Sequence, residues 1–261
     1  MTEPWLELCR AAAGDVRAVL GDLPGRAERE PIVGAGIGGD ETTAIDEAAE
    51  RAILPHFARD DVRIVSEEVG ISGDGRWTVV VDPIDGSMNA KRGIPFFSIS
   101  VAVAEGDTYD DVVFGYVYDF GTGEEWTAAR GGGAFLNGRP LTQSPKDEIE
   151  ILSFEATTTQ YVADDAAKMV GVAHRLRVMG SLAITLCHLA AGRIDGVVSL
   201  KAARSVDIAA AQLLVRERGF AIDLLDEPPL GSAPLDLEGR SRVVAAGSTA
   251  LCRRLTDALL G

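Results

Sequence analysis

No run of about 18 apolar residues occurs in the 261-residue sequence, which excludes a conventional transmembrane helix. Cysteine is scarce as well. Cys9, Cys187 and Cys252 are far apart, form no CxxC pair and are odd in number, so a disulfide framework is excluded and a reduced, intracellular protein with buried thiols is expected. Histidine is limited to His56, His174 and His188, with no metal-ligand spacing, which disfavours zinc and histidine-based acid catalysis. There is no GxSxG elbow, no Cys/His signature of a covalent nucleophile, no internal repeat and no low-complexity tract. The first ten residues, MTEPWLELCR, carry two glutamates and lack the apolar stretch of a signal peptide, so the expectation is a soluble, cytoplasmic protein. Basic residues are also few: 25 Lys and Arg stand against 40 Asp and Glu, a net charge of -15 that repels nucleic acid and anionic membranes.

What is present is enough apolar material for a large core, at 46% of the chain, and an excess of carboxylates. A small anionic substrate could bind such a chain only where cations locally reverse the field, and carboxylates are good ligands for hard cations. Trp5, Leu8, Ala12, Val16 and Val19 recur at helical spacing, closed by Gly21 and Pro24, and residues 21–39 read as a loop. Ile45, Ala49, Ala52 and Ile53 predict a second helix stopped near Pro55. Short strands at 63–66 and 77–81, then 97–104, 112–118 and 124–129, predict an antiparallel sheet with turns at Glu105-Gly106 and at 121–123. Beyond the polar stretch 142–148 the pattern alternates: strands at 149–154, 176–179, 196–200 and 243–246, helices at 162–171, 181–191, 207–218 and from Thr249. The expectation is an α+β half over 1–145 and an α/β half over 146–261.

The segment VVVDPIDGSMN at 79–89 carries the chemistry. Three valines deliver Asp82 at a strand end, Pro83 cannot continue a ladder, and Gly86 permits a tight turn, so Asp82 and Asp85 project from one strand-to-helix corner where they can share cations. The Gly86 and Ser87 amides at the following helix start suit a phosphate. Alone, a D-x-x-D turn is more often a solvated cap. The full string DPIDGSMN, followed by GIPFFSISVAV at 93–103, closely resembles the first signature of the inositol monophosphatase family. SVDIAAA at 205–211 resembles its second signature, and GGDETTAID at 38–46, IVSEE at 64–68, GSLA at 180–183 and AGRIDG at 191–196 match the same family in order, so the resemblance covers roughly residues 34–220.

That resemblance implies a sugar phosphatase fold of alternating helix and sheet layers (αβαβα) and a magnesium-dependent phosphomonoesterase using two or three Mg²⁺ ions. One ion would be held by Glu67, Asp82 and the Ile84 carbonyl, and a second by Asp82, Asp85 and Asp207, with Asp40 helping a third. Ser87 and its partner Asp46 would orient and deprotonate the attacking water, with Glu67 in the catalytic set. The implied substrate contacts are Gly86, Ser87, Gly180, Ser181, Lys201 and Arg204, and the substrate is a small phosphorylated sugar or polyol. Some residues depart from the family pattern: Val206 stands where tryptophan is common, Ser87 where threonine is usual, and Ser199 where animal inositol monophosphatases carry a glutamate that contacts inositol. Lys201, Arg204 and the segment 36–40 look more like the archaeal-type branch, whose members often accept fructose 1,6-bisphosphate too. A nucleotide 3′-phosphatase of the 3′-phosphoadenosine 5′-phosphate or NADP type, and a noncatalytic phosphate or metal binder, stand as alternatives. The resemblance also implies a homodimer.

Overall fold

The computed structural model describes residues 3–35, 41–226 and 229–261. In chain order its elements are α1 (Glu3–Asp22), α2 (Arg26–Arg29), β1 (Ile32–Ala35), β2 (Glu41–Thr43), α3 (Ala44–Phe57), β3 (Val62–Ser66), β4 (Gly70–Ser72), β5 (Trp77–Asp85), α4 (Ser87–Arg92) and β6 (Ser98–Ala104). Four more strands follow: β7 (Val112–Asp119), β8 (Glu125–Ala129), β9 (Gly133–Leu136) and β10 (Arg139–Pro140). The remainder comprises β11 (Ile149–Glu155), α5 (Thr159–Ala166), β12 (Ala173–Arg177), α6 (Leu182–Ala190), β13 (Gly196–Ser199), α7 (Ser205–Glu217), β14 (Ala221–Leu224), β15 (Val243–Ala246) and α8 (Thr249–Leu260).

Strands β3 to β10 form one eight-stranded sheet in the order β10-β9-β8-β7-β6-β5-β3-β4, and β11 to β15 form a five-stranded sheet in the order β12-β11-β13-β15-β14. Side chains alternate faces along each strand, and that period of two builds the layers. In β5 and β6, Val79, Val81, Val101 and Val103 point to a core shared with α1 and α3, while Val80 and Ala102 point to a core shared with α6 and α7. In the second sheet, Val197 and Ala245 join that same central core, and Val198, Val244 and Ala246 face the opposite way, onto α8. The result is five layers, αβαβα, with α6 and α7 sandwiched between the sheets. The run Ala209-Ala210-Ala211 lets α7 lie close on β7. A Cβ at Gly115 would sit 2.5 Å from the Ala210 carbonyl oxygen, so the contact requires glycine.

The structure differs from the sequence expectation in several places: β4, β9 and β10 lie outside the expected strands, the helix expected at 162–171 is α5 (Thr159–Ala166), and the strand expected at 176–179 is β12 (Ala173–Arg177). Residues 21–39 are not loop throughout: α2 and β1 lie there, pinned by Arg29, whose buried guanidinium donates to the carbonyls of Leu20 (3.1 Å), Leu23 (2.5 Å) and Ala90 (2.8 Å). Polar pinning of this kind leaves no apolar period to read. Helix α3 runs past Pro55 to the fully buried Phe57, because a proline in the last turn forfeits a single intrahelical bond. The first sheet is mixed, with β3 parallel to β5 and the other pairs antiparallel. Strand β14, on the edge of the second sheet and half exposed, carries no alternation that sequence could reveal. Cys9, Cys187 and Cys252 are free and buried. Among the described residues, no helix is long and apolar enough to cross a membrane.

Candidate active site

Strand β5 is buried along its whole length and ends on Asp85. Its ladder to β6 is in step as far as Asp82↔Ser100 and resumes at Asp85↔Ser98, the slip falling at Pro83, which has no N–H to give. This irregularity brings the two carboxylates of one strand end to a common point. The Asp82 carboxylate accepts from the Ile84 amide (2.9 Å), and that of Asp85 from the Ala183 amide (2.9 Å) and the Ser181 hydroxyl. Asp207, in the first turn of α7, accepts from the Arg204 amide at 2.7 Å. Ligand oxygens of Asp82, Asp85 and Asp207 all lie within 4.8 Å of one another. Glu67, just beyond β3, joins them through Arg204, whose Nη2 donates to Glu67 Oε1.

Four acids gathered in this way resist ionisation. Burial, followed by repulsion from Asp207, pushes the Glu67 carboxyl up to about 8 and that of Asp85 up to about 7. Burial and the Glu67 charge push Asp82 well above the carboxylate range, and burial raises Asp207 against the pull of Arg204. The donor set is all oxygen, hard and anionic, and its accumulated negative charge fits a hard divalent cation such as Mg²⁺. Above it opens a cleft of about 440 Å³ lined by Asp85, Asn89, Gly180, Lys201, Arg204, Asp207 and Arg240.

The inositol monophosphatase family matches residues 5–259. The chain belongs to the inositol monophosphatase family. A fructose-1,6-bisphosphatase/inositol-1-monophosphatase of Archaeoglobus fulgidus is 35% identical over 244 residues, covering 92% of each chain. Its namesake in Methanothermobacter thermautotrophicus is 33% identical over 273 residues, covering 98% of this chain and 96% of the relative. Among solved structures, an inositol monophosphatase-fructose 1,6 bisphosphatase superposes with a TM-score of 0.87 at 29% identity, covering 98% and 99% of the two chains. Family membership agrees with the layered fold and with a metal-dependent phosphatase site.

Within this family member the expected site residues are placed as follows. Asp82, Asp85 and Asp207 converge, and Glu67 stands beside them, held by Arg204. The Ile84 carbonyl faces Ser87 and accepts its hydroxyl at 2.9 Å. Asp46 is buried, accepts from the Thr43 side chain and amide, and lies 3.4 Å from Lys91 Nζ; no hydrogen bond joins it to Ser87. Its Oδ1 is buried without a hydrogen bond among the described residues. Gly86 holds φ 91°, and a Cβ there would lie 2.9 Å from the Gly180 carbonyl oxygen, so the corner accepts only glycine. Ser181 is buried and committed to Asp85, away from the open cleft. Arg204 lines the cleft but is buried against Glu67, whereas Lys201 is exposed on the cleft wall. Ser199 lies buried in β13, its hydroxyl accepting the Val243 amide at 2.7 Å. Asp40 lies outside the described residues.

Sequence reasoning missed Lys91, Arg240, Glu50 and Glu155. Lys91 could have been found, because it follows Ser87 by four residues on one helix. Arg240 comes from a segment outside the matched signatures and is brought beside Asp207 by the backbone bridge between Ala203 and Ser241. Glu50, buried on α3, accepts from the Ser66 hydroxyl and from the amides of Glu68 (3.3 Å) and Val69 (3.1 Å), so it supports the turn that carries Glu67.

Proposed function

We propose that this chain is a Mg²⁺-dependent phosphomonoesterase that releases inorganic phosphate from small phosphorylated sugars or polyols, with inositol 1-phosphate and fructose 1,6-bisphosphate as its substrates. The observation that carries the proposal is the convergence of Asp82, Asp85 and Asp207 on one point, with Glu67 beside them, under a cleft with a cation on its wall. In our reading Glu67, Asp82, Asp85, Asp207 and the Ile84 carbonyl hold Mg²⁺, and Asp40 assists a further ion. Bound there, the cation supplies Lewis-acid polarisation of the phosphoryl oxygens and lowers the pKa of water.

The chain's own groups do the rest. The Gly86 and Ser87 amides hold phosphoryl oxygens at the corner that β5 and α4 make, where charge develops in the transition state. Ser87 Oγ turns from the Ile84 carbonyl toward Asp46, accepts a proton of the attacking water and passes its own hydroxyl proton to the unspent Asp46 Oδ1. Meanwhile the phosphorus–oxygen bond to the alcohol breaks, and the leaving alkoxide takes a proton from solvent. Lys201 meets an anionic group on the leaving-group side. Gly180 forms part of the cleft wall, Ser181 fixes Asp85, and Arg204 balances Glu67. The halves 1–145 and 146–261 each contribute ligands, so the cleft between the two sheets is their joint product. We also read the functional unit as a cytoplasmic homodimer that binds neither nucleic acid nor membranes; sedimentation showing a monomer at micromolar concentration would remove the dimer.

The testing experiment is phosphate release from inositol 1-phosphate, fructose 1,6-bisphosphate and 3′-phosphoadenosine 5′-phosphate, after chelator treatment and again with Mg²⁺ restored. Turnover of the first two that is lost with chelator and recovered with Mg²⁺ is expected. Recovery with Zn²⁺ alone, or turnover of the nucleotide only, contradicts the proposal.

A further inference from the structure

Glu155 ends β11 and is fully buried, at 0% exposure, in the half of the chain opposite Asp82 and Asp85. Its carboxylate is surrounded by donors. Oε1 accepts from the Ser153 hydroxyl (2.6 Å), the Thr185 hydroxyl (3.0 Å) and the Met179 amide (3.3 Å), and Oε2 from the Gly180 amide (2.8 Å). Two of those donors belong to the turn at residues 179–181, and every residue of that turn reaches the metal corner. The Met179 carbonyl accepts from Asn89 Nδ2 at 2.9 Å, the Gly180 carbonyl packs against Gly86, and the Ser181 hydroxyl donates to Asp85. The Ala183 amide, two residues on, gives Asp85 its second bond at 2.9 Å.

We infer that Glu155 is a positioning residue: through the turn at 179–181 it sets the orientation of the Asp85 carboxylate and thereby the strength of divalent-cation binding. The inference rests on reading Asp82, Asp85 and Asp207 as a cation site. A carboxylate is required because each of its two oxygens meets a donor. A glutamine would turn an NH₂ group toward an N–H or O–H donor and leave both without an acceptor, and the turn would shift to relieve them. Since Ser181 reaches Asp85 from that turn, and Ala183 from the start of the helix that the turn leads into, such a shift changes the bonds that hold a ligand oxygen in place.

The test is calorimetric titration of the whole protein with Mg²⁺ alone, comparing the parent with Glu155→Gln and with Asp195→Asn. Asp195 is a matched control. It too is a buried carboxylate that holds β11: from just before β13 it accepts the amides of Glu150 (3.0 Å) and Ile151 (2.9 Å), but at the far end of β11 from the site. Both variants lose thermal stability. Glu155→Gln is expected to weaken Mg²⁺ binding by about 10–100-fold, while Asp195→Asn keeps the parent's affinity. Equal affinity in Glu155→Gln and parent, or equal weakening by both variants, overturns the inference. A parent that binds no Mg²⁺ overturns the cation site itself and is a separate outcome. Should Glu155→Gln not fold, Glu155→Asp, which keeps the charge but retracts it by one methylene, is read by the same titration with the same expected loss and the same overturning result.

Discussion

Replacing Asp82 by asparagine should stabilise the metal-free protein while destroying its response to Mg²⁺. The side chain is 2% exposed, and asparagine keeps an oxygen to accept the Ile84 amide, so packing and that bond survive. What changes is charge. Carboxylate oxygens of Asp82, Asp85 and Asp207 lie within 4.8 Å of one another. At an effective dielectric constant of ~20, two unit charges at such a separation repel by about 3.5 kcal/mol. Protonation of the cluster already relieves part of this, leaving a gain of about 2 kcal/mol, or ~5 °C in Tm for a chain of this size.

The pH dependence has a definite sign. Asp85 rises from an ordinary 3.8 to about 7 and Glu67 from 4.5 to about 8, so the native chain holds protons that the unfolded chain has released. Stability from this cluster is therefore fully present below about pH 4 and is lost as pH rises toward about 8. Calorimetric melting of parent and Asp82→Asn in chelator at pH 8 and at pH 4 reads the difference. The variant should melt higher at pH 8, the gap should close at pH 4, and excess Mg²⁺ should reverse the order at pH 8. A variant that melts lower than the parent in chelator at pH 8, or a gap independent of pH, refutes the reasoning.

Gly86→Ala should cost on the order of 1–3 kcal/mol in urea unfolding, because the residue sits at φ 91° with the Gly180 carbonyl in the way of a Cβ; a neutral effect would show that the corner can move. Lys201→Ala should raise KM for fructose 1,6-bisphosphate by about tenfold and leave that for inositol 1-phosphate nearly unchanged, since ~1.4 kcal/mol of anion binding is lost only where a second phosphate exists. Arg204→Ala should impair both substrates alike, because its guanidinium holds Glu67 beside the acidic cluster. Steady-state kinetics on the two substrates separates these outcomes, and a bisphosphate-selective effect of Arg204→Ala would return it to the docking role.

The residues that were legible in sequence are those whose chemistry is local. Asp82 and Asp85 share one strand end and one helix start, so the local turn chemistry of Pro83 and Gly86 brings them to one corner, and the near-continuous apolar runs of β5 and β6 fit buried strands. Glu67 and Asp207 became legible through family resemblance, because nothing local says that a turn after β3 and the start of α7 meet. Contacts that depend on tertiary closure were not legible. Arg204 reads as a surface cation until the fold buries it against Glu67, and Ser181 reads as a substrate contact until Asp85 claims its hydroxyl. Glu155 is a polar residue ending an apolar strand, which by pattern is an ordinary solvated end; only the turn at 179–181 folding over it shows why it is there.

The most direct measurement of the central claim is phosphate release from inositol 1-phosphate by the parent and by Asp207→Asn in saturating Mg²⁺, with folding of both checked by circular dichroism. Asp207 joins Asp82 and Asp85 from the other half of the chain, so removing its charge while keeping its size tests whether the three act as one site. The account predicts parent turnover and a loss of about 10³-fold or more in a folded Asp207→Asn variant, a penalty of ~4 kcal/mol in transition-state stabilisation. Turnover by Asp207→Asn within about tenfold of the parent would contradict it.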